Sequence, residues 1–307
     1  MFQRNLFFKS ENDFLSYFLT QLMESIDNKC MLLCDNFKFG TMIANLDTLV
    51  PKVMMMHTNH YNKPGNRGSK VSSRYEEIFE LQEKFNDFVF LTDSQKDDAI
   101  ADNLVPSNKC VTIPNFFVES EVLEKVKHDA KVIGFIGRLV KGKGILEMID
   151  TLSPILKSDN DVELHIYGIG DMESSIVEKC KKEKIDNKVI LKGYTENPNE
   201  ALKTFDIFVS FSESEAYGLT TVEAMNQKVP VVIRDINYGP KDIIEDGVDG
   251  FLFPQNVLID SVPIVKLLIN NKEIAKKIGE NARSKIQKIL DENDLLNQWQ
   301  QFIEKVY

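Results

Sequence analysis

Between Lys131 and Phe253 short apolar runs alternate with longer amphipathic stretches, and this alternation leaves few folds open. The apolar runs predict strands at Lys131 to Ile136, Val162 to Tyr167, Lys188 to Lys192, Asp206 to Ser210 and Val229 to Ile233, with a short one at Phe251 to Phe253. The helical spacing of apolar residues predicts helices over about 144–157, 171–184, 199–205, 219–227, 241–246, 257–270 and 272–290. Strands and helices taking turns in this way imply an α/β fold with a parallel, doubly wound sheet.

The first part of the chain carries the same pattern less cleanly. Helical spacing is read over 12–26, a short strand at Cys30 to Cys34, and a buried strand at Lys52 to His57. A helix is expected over 69–85, a strand at Phe88 to Thr92 with Thr92-Asp93-Ser94 capping a helix that begins at Gln95-Lys96, and a strand at Cys110 to Ile113. The charged stretch 118–128 reads as a hinge. The division expected is therefore a partial first domain over 1–128, a second domain over 129–290, and an amphipathic helix over 291–307 that packs back toward the first. Ligands of open parallel sheets bind outside the carboxyl ends of strands, so His57 and His60, at the end of the second strand, are candidates to touch one. The competing reading is that either histidine fills a turn or caps a helix.

With 43% apolar residues the 307-residue chain can build two proper cores. No segment approaches the 18 or more uncharged apolar residues of a membrane span. A net charge of −10 argues against free nucleic acid as the main partner. Cys30, Cys34, Cys110 and Cys180 lack the spacing of a metal site, and the N-terminal residues lack a secretion signal, so cytosolic thiols are expected.

The most informative stretch is Ser212 to Gln227, which follows the strand at Asp206 to Ser210. From Leu219 its apolar positions turn helical, so Tyr217 and Gly218 stand in the turn and Leu219 and Thr220 open the helix. The free amides of that first turn, at the positive end of the helix dipole, make a seat for an anion. Glu215 lies in the turn and Glu223 just over one turn into the helix. Two carboxylates beside an anion seat suit a molecule that is phosphate in the middle and rich in hydroxyls at both ends, since carboxylates accept hydrogen bonds from sugar hydroxyls. After the strand ending at Ile136 comes Gly137-Arg138, then Lys143-Gly144, which would bring two cations over the same crevice. Gly168 in Tyr167-Gly-Ile-Gly170, and Tyr194 after Gly193, mark the ends of the next two strands.

Glu215 and Glu223 match the E-x7-E signature, and Arg138 with Lys143 the G-R-x(n)-K-G element, of retaining glycosyltransferases of the GT4 type, which have the two-domain GT-B fold of paired Rossmann-like domains. Asn237-Tyr238-Gly239-Pro240 and Gly247-Val-Asp-Gly250 resemble the closing block of that family. The Asn-Tyr-Gly-Pro form and His57-Thr-Asn-His60 make the chain similar to the branch that glucosylates poly(glycerol phosphate) teichoic acid, and to its relative that adds N-acetylglucosamine to serine-rich surface proteins. The resemblance implies a UDP-sugar co-substrate, transfer with retention to a polymeric or protein acceptor, and no metal or other cofactor. It implies that Arg138 and Lys143 neutralise the diphosphate, that Glu215 contacts the transferred sugar, that Glu223 holds the ribose, and that His57 or His60 contacts the sugar from the first domain. The base would be held near Tyr194. Gly168, Tyr217, Gly218, Leu219 and Thr220 would complete the nucleotide seat.

The chain departs from the family in three places. Position 216 is Ala where Gly is usual, Lys241 replaces a small residue, and the first domain is truncated, without an early Gly-Gly loop. A sheet short of strands exposes an edge, so a partner chain or self-association is expected to cover it. Cytoplasmic placement follows, with peripheral contact at the inner face of the membrane left open. A second reading makes the chain a non-catalytic partner subunit that stabilises a complete transferase.

Overall fold

Among the described residues ten apolar runs form strands, and each of these strands pairs in parallel, in two separate sheets. The computed structural model describes residues 15–16, 19–20, 30–62, 67–115, 120–126, 129–289 and 291–306. They divide into two units: the described residues up to Ile113 together with those from Leu296 onward, and the residues from Pro114 to Leu295.

The first unit carries β1 (Leu32–Cys34), β2 (Lys52–Met56), β3 (Asp87–Phe90) and β4 (Cys110–Thr112), side by side in chain order. Its core gathers Met54, Met56, Phe88 and Phe90 from the strands with Tyr75, Ile78, Phe79 and Phe85. The sequence pattern did not show α1 (Phe37–Ala44), whose first turn is capped by the Asn36 side chain accepting from the Lys38 amide at 3.1 Å. Gly40 allows this helix to approach Ile78, whose side chain lies 2.5 Å from where a Cβ would stand.

The helix expected over 69–85 is helical only at α2 (Glu76–Glu80), followed by a 3-10 turn at Gln82–Lys84. The residues before it are claimed by other partners. Val71 bridges Tyr61, and the Ser72 amide donates to the His60 carbonyl at 2.8 Å. The helix α3 (Asp93–Ala101) begins two residues before the expected Gln95, with Thr92 accepting from the Gln95 amide. Of the helix expected over 12–26, Leu15, Ser16, Leu19 and Thr20 are helical and the rest lies outside the described residues.

The second unit has a six-stranded sheet in the order β10-β9-β8-β5-β6-β7. Its strands are β5 (Lys131–Ile136), β6 (Val162–Tyr167), β7 (Val189–Gly193), β8 (Ile207–Ser210), β9 (Val231–Asp235) and β10 (Phe251–Pro254). The helices are α4 (Ile145–Ser158), α5 (Glu173–Glu183), α6 (Pro198–Leu202), α7 (Leu219–Asn226), α8 (Pro240–Ile243), α9 (Ser261–Asn270) and α10 (Lys272–Ile289). From β5 the chain first winds outward to β6 and β7, then returns to β5's other side with β8 and continues to β9 and β10. The winding therefore reverses between β5 and β8.

The last helix, α11 (Glu292–Val306), has Leu295 and Phe302 buried. Its residues from Leu296 belong with the first unit, where Lys305 pairs with the buried Asp87 at 2.6 Å. Residues 120–126 have no regular structure and are fastened to the second unit. Leu123 donates to the Gln227 side chain at 3.0 Å, Ser120 bonds Asn226 and Gln227, and the Val126 amide donates to the Lys203 carbonyl at 3.1 Å. Arg283, on α10, donates to the Asn226 carbonyl at 2.6 Å and completes the fastening. No helix among the described residues is long and apolar enough to cross a membrane.

At Gly134, in the middle of β5, a Cβ would stand 2.0 Å from the buried Phe205 ring. Gly134→Ala is expected to lower the stability of the second unit by about 1–3 kcal/mol through overpacking. Urea unfolding followed by circular dichroism measures it, and an unchanged midpoint would show that Phe205 yields without cost.

Candidate functional site

Open parallel sheets bind ligands outside the carboxyl ends of their strands, where the winding reverses. In the second unit that place lies between the loops following β5 and β8, and those loops hold Arg138 and Lys143 on one side and Glu215 on the other. The loops are stitched together. The Glu213 amide donates to the Gly142 carbonyl at 3.0 Å, and the Lys143 ammonium pairs with the Glu215 carboxylate. Both side chains of the pair are about four-fifths buried.

Lys143 is delivered by a 3-10 turn at Lys141–Lys143 that ends on Gly144, in the left-handed region at φ +64°. A Cβ there would stand 2.1 Å from the Phe211 carbonyl oxygen, so only glycine lets the two loops meet this closely. Glu215 is fixed from the opposite side, where the Tyr238 amide donates to its carbonyl at 3.1 Å. Gly239 packs under Tyr217, where a Cβ would meet the Tyr217 carbonyl oxygen at 2.1 Å. The Asn237-Tyr238-Gly239-Pro240 segment thus acts as a clasp on the Glu215 loop. The sequence marked this segment; that it grips Glu215 depends on β9 lying beside β8.

Gly218 precedes α7 and no side chain caps that helix. Thr221 and Val222 donate back to the Gly218 carbonyl, which leaves the Leu219 and Thr220 amides without an intrahelical acceptor at the positive end of the dipole. Tyr217 is buried, and burial holds its phenol far above the ordinary range. Glu223 lies in the second turn of α7 and is largely buried. Burial alone pushes its carboxyl from 4.5 up to about 7, with no charged neighbour contributing.

The loops after β6 and β7 join the same edge. Gly137 and Leu139 donate to the carbonyls of Tyr167 and Ile169 at 3.0 and 2.9 Å, and Gly168 donates to Gly193 at 2.7 Å. Gly168 stands where a Cβ would overlap the Gly137 carbonyl oxygen. Arg138 is exposed at the head of its loop, and Tyr194 is 68% exposed after β7. The structure therefore brings Arg138, Lys143, Gly168, Tyr194, Glu215, Tyr217, Gly218, Leu219, Thr220 and Glu223 to one end of one sheet.

The two histidines of the first unit part company. His60 is fully buried against Tyr61 and Phe79, with Gln95 at 3.5 Å, and burial holds its pKa near 4. It fills the core as a neutral ring. His57, at the carboxyl end of β2, is partly exposed, and burial lowers its pKa against the opposing pull of Asp35. Among the described residues no group of three or more histidine, cysteine or carboxylate side chains is placed to hold a metal ion. The four cysteines are unpaired.

Residues 119–285, more than half of the chain, match the family model described as glycosyl transferases group 1. The chain belongs to this family. It is 32% identical over 293 residues to a poly(ribitol-phosphate) alpha-N-acetylglucosaminyltransferase of Staphylococcus aureus, an alignment covering 95% of this chain and 58% of the relative. It is 23% identical to a poly(glycerol-phosphate) alpha-glucosyltransferase of Bacillus subtilis, covering 94% of this chain and 43% of the relative. Among solved structures it resembles a TarM variant of S. aureus in complex with fondaparinux, alpha-GlcNAc-glycerol and UDP. The TM-score is 0.86 at 30% identity, covering 96% of this chain and 59% of that one. The pneumococcal O-GlcNAc transferase GtfA, in complex with UDP and GlcNAc, shares the fold at TM-score 0.84 and 19% identity, covering 99% and 62%. The two sheets are thus the two Rossmann-like domains of the GT-B fold. The chain spans about half the length of the curated relatives it matches.

Glu223 links the site to pH. The folded carboxyl keeps its proton up to about pH 7 and the unfolded one only to about 4.5. The stability this contributes is full below about pH 4.5 and is lost as pH rises through about 7, a difference on the order of 2–3 kcal/mol. Glu223→Gln carries no such dependence. The variant is expected to melt several degrees above the wild type at pH 8, with the gap closing at pH 5. A pH-independent gap in scanning calorimetry would contradict the burial of an ionisable group there.

Proposed function

We propose that the chain is a retaining glycosyltransferase that moves a hexose or N-acetylhexosamine from a UDP-sugar to a cell-surface polymer of the teichoic-acid type, or to a protein or glycan acceptor. The observation that carries the proposal is the meeting of Lys143 with Glu215 ahead of α7, with the exposed Arg138 on the same loop as Lys143. Family membership alone names a reaction class; this meeting supplies its parts.

In this reading the diphosphate rests on the Leu219 and Thr220 amides. Arg138 and Lys143 stabilise the negative charge that grows on it as the glycosidic bond breaks, each cation at about 4 Å contributing up to roughly 4 kcal/mol at an effective dielectric near 20. Those two cations supply the neutralisation, so no metal ion is part of the proposal. Glu215 accepts hydrogen bonds from the transferred sugar near its reacting centre, and Glu223 accepts from the ribose hydroxyls. The segment at Tyr194 offers backbone groups to the base. The acceptor hydroxyl attacks the face from which UDP departs, so the anomeric configuration is retained. His57 is the first unit's candidate for touching a ligand, and the buried His60 is withdrawn from that role. The unpaired thiols support a cytoplasmic setting, and the acceptor class supports work at the inner face of the membrane.

Turnover is tested by UDP release from a panel of UDP-sugars with polyol-phosphate polymer as acceptor. The wild type is expected to turn over at least one donor, with the rate unchanged by EDTA. Lys143→Ala, Arg138→Ala and Glu215→Gln are each expected to lower kcat/KM by about 10²-fold or more. A donor that binds and raises the melting temperature but is never turned over or hydrolysed would favour a partner-subunit role.

A partner chain or a second copy is proposed to cover the β1 side of the first unit, where Leu33 and Phe39 are exposed. The GtfA/B complex, to which this chain is 18% identical at TM-score 0.81, shows that a chain of the same fold assembles with another. Light scattering after size exclusion is expected to show mass rising with concentration. A clean monomer at high concentration would remove self-association.

A further inference from the structure

Lys143 and Glu215 are each wanted by a different part of a nucleotide sugar, yet they hold each other. Resting on the reading above, this pair has a consequence for what the site retains. At equal distance a diphosphate with two to three charges attracts an ammonium about two- to three-fold more strongly than one carboxylate does. Lys143 therefore turns to the diphosphate. Glu215 is then left about four-fifths buried, facing a like-charged ligand, with its cation withdrawn. Its backbone cannot retreat, because the Tyr238 amide and the Glu213–Gly142 bond hold the loop from both sides.

We propose that Glu215 is a specificity-determining residue that sets intact donor apart from spent nucleotide. A UDP-sugar brings hydroxyl groups that donate to the carboxylate and replace the lost ammonium. UDP brings only the charge that takes the ammonium away, so it is held less tightly than its phosphates alone would allow, and it leaves. No residue beyond the ion pair is required, and no covalent step is involved.

Isothermal titration of UDP, UDP-glucose and UDP-N-acetylglucosamine into the full chain tests the proposal, with Glu215→Gln, Lys143→Ala and the double variant compared. Glu215→Gln is expected to bind UDP about 3–10-fold tighter than the wild type while binding the preferred UDP-sugar no tighter, or more weakly. In the Lys143→Ala background the same change is expected to alter UDP affinity less than about two-fold, because no ammonium is left to exchange. Melting temperatures confirm folding, and Glu215→Ala replaces the glutamine variant should that one be unstable. A glutamine variant that binds UDP no tighter than the wild type overturns the proposal and leaves the transferase reading standing. An undiminished gain without Lys143 also overturns it, since plain repulsion then suffices. A wild type that binds neither UDP nor any UDP-sugar overturns the transferase reading and this inference together.

Discussion

The reversal of winding between β5 and β8 is the constraint on which the site depends. Because those two strands are neighbours in the sheet though distant in the chain, the loops that leave them emerge side by side. One backbone hydrogen bond, from Glu213 to Gly142, and one glycine, Gly144, then bring Lys143 to Glu215. The ion pair is a result of that topology. Had β8 been added beside β7, the same residues would stand on opposite edges of the sheet with nothing to bind between them.

The sheet edge also concentrates unfavourable terms that a ligand would relieve. Glu223 is buried without a charged neighbour, and two amides of α7 lack intrahelical acceptors. Burying a carboxyl costs free energy unless it is neutralised or hydrogen-bonded, and burial raises the Glu223 pKa to about 7, so that the group shares its time between acid and carboxylate at neutral pH. Apolar side chains from β5, β6 and β8, with α4 and α9, form one continuous core beneath the edge, while Asn226, Gln227 and Arg283 fasten the far end of α7.

Much of this was legible in the chain itself. The boundaries of β5 and β6 follow directly from their apolar runs, because strands buried on both faces have little else to be. The apolar spacing from Leu219 onward identified the helix and its anion seat, and the Glu215 to Glu223 spacing carried the family resemblance. What escaped reading is what tertiary partners decide. The helix at Phe37–Ala44 owes its place to an Asn36 cap and to Gly40 lying against Ile78, and neither contact is written in local periodicity. Residues 69–75 have helical spacing, yet Val71 bridges Tyr61 and the Ser72 amide donates to the His60 carbonyl, since pairing with a neighbouring segment outweighs propensity. His57 and His60 look alike in sequence, and only the packing of Phe79 and Tyr61 around His60 separates them.

The most direct measurement is a crystal structure of the chain with UDP bound. The diphosphate is expected within hydrogen-bonding distance of the Lys143 ammonium, the Arg138 guanidinium and the amides of Leu219 and Thr220, with the ribose on Glu223. UDP found away from the β5 and β8 loops, or Lys143 still bound to Glu215 alone with UDP in the site, would contradict the convergence of these groups on one pyrophosphate.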